Sequence, residues 1–270
     1  YGITRERVRQ IENQAKNNLA KREDVSLPVA EDLEKVFSEF GGSLHEDHII
    51  EVLNKEKSEP IKKEYIVLYL DILNPYEYVT KSPEFKPHWS HKNINYGHLD
   101  SAVRELENIL KKFGEPKRSK ELYDNLLQSL GVAEDDFPYS YMDALLRLGK
   151  KLKKTVFDEW AIAEWVEATP RGVGDKAYVI LKRGGKPKHF REITDGINEA
   201  SFDHKKAHVQ TVHNELIKDD RFVLVGRGMY GLTEWGFMPG TVSEVLEAIL
   251  AKENRPMTKE ELLNLSLIHI

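Results

Sequence analysis

The sequence predicts a mainly α-helical protein with small β-hairpin wings, arranged as tandem winged helix-turn-helix units. The first observation behind this fold class is a repeat of about 70 residues, marked by Pro116, Pro187 and Pro256. The second is that each proline follows one apolar-periodic helix and precedes another. The third is an alternating apolar pattern on both sides of Gly226 and Gly228, which predicts a β-hairpin at the end of one repeat.

The repeat predicts the domain organisation of most of the chain. In the first unit the proline is missing, but Ser43 and Glu46 have the spacing of a capping box, so a helix should begin there. Trp165 and Trp235 are 70 residues apart, in step with the prolines. The predicted bounds are 25–98, 99–168 and 169–240 for three winged-helix-like units, and 241–264 for a truncated fourth unit.

The third unit has the clearest pattern. Its helices should lie near Asp175–Lys182, Phe190–Glu199 and Lys205–Lys218. The wing that follows contains Gly226–Gly231, which matches the G-x-G-x-x-G pattern of dinucleotide sites. Such a site needs a helix directly after the glycines, because the phosphate meets the helix N-terminus.

Here the residues after the glycines, Leu232–Trp235, should continue as a strand. We therefore interpret the glycines as hairpin residues that adopt positive φ, and we expect no cofactor. Arg227 at the tip of this hairpin is a candidate contact to the DNA backbone.

Composition and charge limit the classes of function. Cysteine is absent, which excludes disulfides, a thiolate nucleophile and cysteine-ligated zinc. No apolar run approaches the roughly 20 residues that span a bilayer, so we expect a cytoplasmic protein without a membrane partner. The net charge is −5, but residues 1–22 and 171–230 each carry a net +4, whereas 31–64 hold ten acidic residues against five lysines. Local patches, not the total charge, determine contact with phosphates.

Catalytic and metal-binding patterns are weak. The histidine pairs lie three or four residues apart, at His45 and His48, His88 and His91, and His204 and His208. A zinc site needs three or four ligands, and no H-E-x-x-H sequence is present, so we expect no metal. A nucleophile elbow, a Walker loop and a kinase signature are also missing from the sequence, and we expect that the protein is not an enzyme.

The segment 1–24 predicts a DNA-reading helix. Thr4 is a good N-cap, so a helix should begin after it. Arg5, Glu6, Arg9 and Gln10 fall on or near one face, and Val8 and Ile11 should take the opposite, buried side. A helix-turn-helix places a short helix with such polar side chains at its N-terminal end into the major groove.

This segment resembles the recognition helix of region 4 of housekeeping bacterial sigma factors, the C-terminal half of a helix-turn-helix. The match runs over Gly2–Glu12 and extends across about residues 1–21. The resemblance implies a protein that recognises promoter DNA of the −35 type and works with bacterial RNA polymerase core. Double-stranded promoter DNA and the polymerase are therefore the expected partners.

Site residues follow from the same resemblance. Arg5, Glu6 and Gln10 would contact base edges, since Arg pairs with guanine, Gln with adenine and Glu with the cytosine amino group. Four further residues would contact the DNA backbone or orient the helix, namely Thr4, Arg7, Arg9 and Lys16. The helix that should precede the turn is missing, so we expect a fragment of a longer reading frame, and Leu265–Ile270 resembles a translated sequencing adapter.

The third unit is similar to the HARE-HTH family, which includes the delta subunit of bacterial RNA polymerase. The residues that carry this resemblance are Pro187, His189, Phe190, Ile193, Gly228, Tyr230, Leu232, Glu234 and Trp235. It implies a transcription-linked winged helix that contacts either DNA or polymerase. A polymerase-associated adaptor that binds mainly protein is therefore the alternative function, and the acidic stretch 31–64 favours it for the middle of the chain.

Overall fold

The computed structural model describes residues 2–55, 57–73, 75–237 and 242–262. The chain is mainly helical with small antiparallel sheets, as the sequence predicts. It forms two compact units, one made of residues 2–154 and 159–163 and the other of 155–158 and 164–262. The adapter-like tail at Leu265–Ile270 and the residue Tyr1 lie outside the described residues.

The first unit begins with helix α1, Arg5–Ala20, and then contains two successive segments of similar structure. We call the first of them the first repeat. Its elements are α2 (Glu23–Glu39), β1 (Ser43–Leu44), α3 (Glu46–Asn54), α4 (Lys63–Ile72), β2 (Tyr76–Val79) and β3 (His88–His91). β3 lies between β1 and β2, and both pairings are antiparallel. Buried side chains of α2, α3 and α4, including Phe37, Ile49 and Leu70, form the core of this repeat.

The second repeat completes the first unit. Its elements are α5 (Tyr96–Phe113), α6 (Ser119–Leu130), α7 (Tyr139–Leu148), β4 (Leu152–Lys154) and β5 (Trp160–Ile162). An isolated bridge between Lys117 and Trp160 takes the place of the first strand. The order of helices, bridge and hairpin is therefore the same as in the first repeat.

The third repeat lies in the second unit. Its elements are α8 (Val173–Gly184), β6 (Lys188–His189), α9 (Phe190–Ala200), α10 (Val209–Lys218), β7 (Phe222–Gly226) and β8 (Met229–Leu232). β8 lies between β6 and β7, which is the strand order of the first repeat. After a 3₁₀ turn at Thr233–Trp235, the described chain continues with α11, Val242–Glu253.

A side-chain clamp in front of the third helix also recurs. In the third repeat, the Asn198 amide accepts a hydrogen bond from Ala207 N at 2.8 Å and donates one to Ala207 O at 3.1 Å. In the first repeat, Asn54 makes the same two bonds to Ile61, at 2.7 and 3.1 Å. Both clamped residues stand two positions before the third helix, and the clamp therefore fixes where that helix begins. In the second repeat, the Tyr123 hydroxyl donates to the carbonyl of Phe137 at the same position.

Three local predictions are wrong. Helix α3 is capped by His45 and not by Ser43, because Ser43 belongs to β1 and its hydroxyl pairs with that of Ser90 at 2.8 Å. Helix α10 begins at Val209 and not at Lys205, because the Asn198 clamp holds the preceding turn out of the helix. The strand predicted through Trp235 ends at Leu232, where the 3₁₀ turn begins.

Candidate nucleic-acid interface

Helix α1 begins as the sequence predicts. The Thr4 hydroxyl accepts a hydrogen bond from Arg7 N at 3.2 Å, which satisfies one backbone donor of the first turn. Ile3 and Val8 stand at the two positions of a hydrophobic staple. A capped first turn holds the polar residues that follow in a fixed helical frame.

The predicted base-reading side chains are all exposed. Glu6 forms a two-bond pair with Arg9, at 2.9 and 3.1 Å, and this pair raises the pKa of Arg9. The Gln10 side-chain oxygen accepts from Arg7 at 3.3 Å. Arg5 makes no ion pair with any described residue. These side chains lie on one open surface, where their mutual pairs are solvent-accessible and exchangeable.

The apolar side of α1 is not buried. Val8 and Ile11 are each 49% exposed, which contradicts the expectation that this side packs against a core. Helical periodicity predicts an apolar stripe but says nothing about what covers it. Within the described chain, only Lys16 and Leu19 of α1 are partly buried.

Lys16 holds α1 to the first repeat. Its ammonium group lies 2.5 Å from the Asp71 carboxylate of α4 and 2.6 Å from Glu12, and the hydrogen bond to Asp71 raises the pKa of Lys16. Of the two roles proposed for Lys16, contact with phosphate or orientation of the helix, this geometry favours the second. The N-terminal turns of α1 project beyond this attachment.

The third helices of the three repeats can be compared position by position. α4, α7 and α10 are ten residues long, and each buries the residues at its fourth and eighth positions. The buried pairs are Ile66 and Leu70, Met142 and Leu146, and Val212 and Leu216. Because this spacing of four residues fixes the inward face, the second, sixth and ninth positions form the opposite face in every repeat.

That opposite face is covered in the second repeat. The Ser140 hydroxyl donates to the carbonyl of Glu39 at 2.9 Å, and Ala144 is 0% exposed within the core of the first repeat. Arg147 lies 2.7 Å from Glu51, and this hydrogen bond lowers the pKa of the Glu51 carboxyl. α7 is therefore an internal packing helix of the first unit.

In the first repeat the same face is covered in part. Asp71, at the ninth position of α4, is the residue that binds Lys16 of α1. Leu68 at the sixth position is half-buried, and Glu64 at the second is exposed. α4 thus carries α1 on the surface that α7 uses to pack against the first repeat.

Only the third repeat leaves this face open among the described residues. Gln210, Asn214 and Ile217 occupy the second, sixth and ninth positions of α10, and all three are exposed, Ile217 by 66%. The Gln210 amide donates to Asn214 Oδ1 at 3.0 Å. These residues are not among the sites predicted from the sequence, although their spacing of four and three is visible there.

The hairpin after α10 forms as predicted. β7 and β8 pair from Phe222 with Leu232 to Gly226 with Met229, with a bulge after Leu224. Gly228 has φ +72° and a Cβ there would lie 2.7 Å from His189 Nε2, so glycine is required. Gly226–Gly231 is thus a hairpin, but the prediction of positive φ is right for Gly228 alone of its three glycines, because Gly226 and Gly231 lie in the strands. Arg227 is exposed at its tip, as a backbone contact would need.

The described residues offer neither a metal centre nor a membrane-spanning helix. Among the described residues, no group of three or more His, Asp or Glu side chains is arranged to hold a metal ion. None of the described helices combines the length and apolar content that crossing a bilayer requires. Comparisons with protein-family models, with curated proteins and with solved structures found no match to this chain.

Proposed function

We propose that this chain is a DNA-binding transcription protein of the sigma-factor type, which recognises promoter DNA of the −35 type and works with bacterial RNA polymerase. The observation that carries the proposal is α1, a helix capped by Thr4 whose exposed N-terminal turns present Arg5, Glu6 and Gln10. These residue types can contact guanine, cytosine and adenine edges in the major groove. The attachment through Lys16 leaves those turns accessible to a duplex.

The repeated topology supports the same class of function. Helix, strand, two helices and a hairpin, with the last strand central in the sheet, is the arrangement of a winged helix-turn-helix. We infer that the three repeats are tandem winged helix-turn-helix units. The recurring clamps at Asn54 and Asn198 support a common origin of the first and third.

The test is fluorescence anisotropy with a duplex that carries a −35-like element and a scrambled duplex, each at several salt concentrations. Arg5→Ala should weaken binding of the −35-like duplex by about 1–3 kcal/mol and reduce the preference between the duplexes. Lys21→Ala removes the same charge near the other end of α1 and is the matched control. An Arg5→Ala variant that retains both affinity and preference would sink the base-reading assignment.

A polymerase-associated adaptor is the second candidate function. The observation that favours it is that α7, one of the three third helices, is used for packing and not for an open surface. The acidic stretch 31–64 would repel DNA and suits a basic protein surface. Binding to purified polymerase core without DNA, together with equal and weak binding of both duplexes, would favour the adaptor.

A further inference from the structure

The open face of α10 has a specific chemical character. It presents two side-chain amides and one apolar side chain, at Gln210, Asn214 and Ile217. Glu215, the acidic residue of this helix, is half-buried and lies next to Gly174 of α8, so it does not belong to the open face. The face therefore carries hydrogen-bonding capacity and a methyl-bearing side chain without negative charge.

The hydrogen bond between the two amides leaves one acceptor atom and one donor atom of the pair unused. Gln210 Nε2 donates to Asn214 Oδ1, so Gln210 Oε1 remains as an acceptor and Asn214 Nδ2 as a donor. Neither atom makes another hydrogen bond within the described chain. Adenine presents an N6 donor and an N7 acceptor in the major groove, which is the matching pattern.

The apolar residue fits the other base of the pair. Thymine alone among the DNA bases carries a methyl group in the major groove, and apolar side chains contact it there. Ile217 lies seven residues beyond Gln210, which is about 10 Å along a helix. Since base pairs are about 3.4 Å apart, the face spans roughly three base pairs.

Positive charge borders this face on the side of the preceding turn. Lys205 and Lys206 are exposed in the turn before α10. Asp203 lies in the same turn, but Lys176 binds it at 2.7 Å, and this bond lowers the pKa of the Asp203 carboxyl. Lysines beside a helix that enters a groove are placed to contact phosphates and fix its register.

The helix is also held rigidly from behind. The His213 ring stacks on Phe190 of α9, with centroids 4.4 Å apart and an angle of 28°, and meets Tyr230 of β8 edge-on at 5.9 Å. Together with the clamp on Ala207, these contacts fix the rotation of α10. A fixed rotation keeps the Gln210, Asn214 and Ile217 side chains directed outward without reorganisation on binding.

We propose that α10 of the third repeat is a second DNA-reading helix and that it recognises A·T base pairs in the major groove. Gln210 and Asn214 bind adenine, Ile217 contacts the thymine methyl group, and Lys205 and Lys206 contact the flanking phosphates. The inference rests on the proposed DNA-binding function but uses a surface separate from α1. It assigns sequence preference to the one repeat whose third helix is open in the described chain.

The experiment uses the chain carrying Arg5→Ala, Glu6→Ala and Gln10→Ala, which silences α1 by removing all three side chains assigned to base reading there. Its affinity is measured by anisotropy for A·T-rich duplexes, G·C-rich duplexes and A·T-rich duplexes with uracil in place of thymine. We expect preference for A·T, and a loss of about fourfold on removal of the thymine methyl groups. Gln210→Ala should lower affinity for the A·T duplex by about 5- to 150-fold.

Two variants make the result specific. Ile217→Ala should bind the uracil and thymine duplexes equally, because the contact with the methyl group is gone. Ser140→Ala, at the position of α7 that matches Gln210, should leave all affinities unchanged. Circular dichroism checks that each variant is folded. No binding by the chain with α1 silenced, equal binding of A·T and G·C duplexes, or the same uracil effect with and without Ile217→Ala would each overturn the proposal.

A negative result for DNA reading by α10 is distinguishable from a negative result for the proposed function of α1. The role of α1 is tested by Arg5→Ala on the −35-like duplex, where the third repeat is unchanged. The role of α10 is tested with α1 already silenced, so either helix can prove to be a reader without the other.

Discussion

Helices α7 and α10 occupy the same place in their repeats but differ in what covers their outward faces. Both have ten residues and the same buried pair, Met142 and Leu146 in one and Val212 and Leu216 in the other. They differ on the opposite face, where α7 buries Ala144 against the first repeat and α10 exposes Asn214. The inward face builds the core of each repeat, whereas the outward face is covered in α7 and exposed in α10.

The largest expected effect is on stability and comes from exchanging Ala144 of α7 and Asn214 of α10. Ala144→Asn places an amide in a fully buried position of the first repeat's core. Burial of an amide without partners and overpacking each cost roughly 1–3 kcal/mol, so the first unit should lose about 2–6 kcal/mol of stability. Urea unfolding measures this loss.

The reciprocal change, Asn214→Ala, is the control. It removes an exposed side chain, and its effect on stability should stay within about 0.5 kcal/mol. Equal losses of stability for the two substitutions would contradict this difference between α7 and α10, because they would mean that the two outward faces are in similar surroundings.

The second prediction concerns the loss of stability at low pH that arises where α3 packs against α7. His48 of α3 is 3% exposed and lies 3.5 Å from Asp143 of α7. Burial, and then the charge of Arg147, lower the pKa of His48 from 6.5 to about 4. The unfolded chain therefore binds more protons than the folded chain between pH 6.5 and about 4, and stability falls as the pH drops through this window.

The size of this effect is at most about 3 to 4 kcal/mol, because one pKa unit corresponds to about 1.4 kcal/mol. Urea unfolding of the first unit at pH 7.5, 6, 5 and 4 measures it. His48→Gln should flatten the pH dependence, leaving the contribution of His88, whose pKa burial also lowers. An unchanged pH dependence in His48→Gln would show that His48 is not the titrating group.

The sequence predicted well where a local interaction determines the structure. Thr4 caps α1, and the first two helices and the hairpin of the third repeat lie close to their predicted bounds. Pro187 and the apolar alternation suffice there, because caps, turns and periodicity act over a few residues. The prediction that Ser43 caps a helix is wrong because the hydroxyl partner of Ser43 is Ser90, which is 47 residues away.

What covers a helix could not be predicted in the same way. Val8 and Ile11 form an apolar stripe that is exposed, whereas on α7 Ala144 is buried and Ser140 is partly buried. Coverage depends on contacts between segments far apart in sequence, such as Ser140 with Glu39. For the candidate interface, residue types could be predicted from the sequence, but the accessibility of Gln210, Asn214 and Ile217 required the structure.

The most direct test of the comparison uses single cysteines, since the sequence has none. Ala144→Cys and Asn214→Cys occupy the same position of α7 and α10, and their rates of labelling by a maleimide can be compared in the folded chain. We expect the thiol at position 214 to react at nearly the rate of an unfolded control and the thiol at 144 to react only when the first unit unfolds. Rapid labelling at 144, or protection at 214, would contradict the central claim that α10 alone of the two presents an open face.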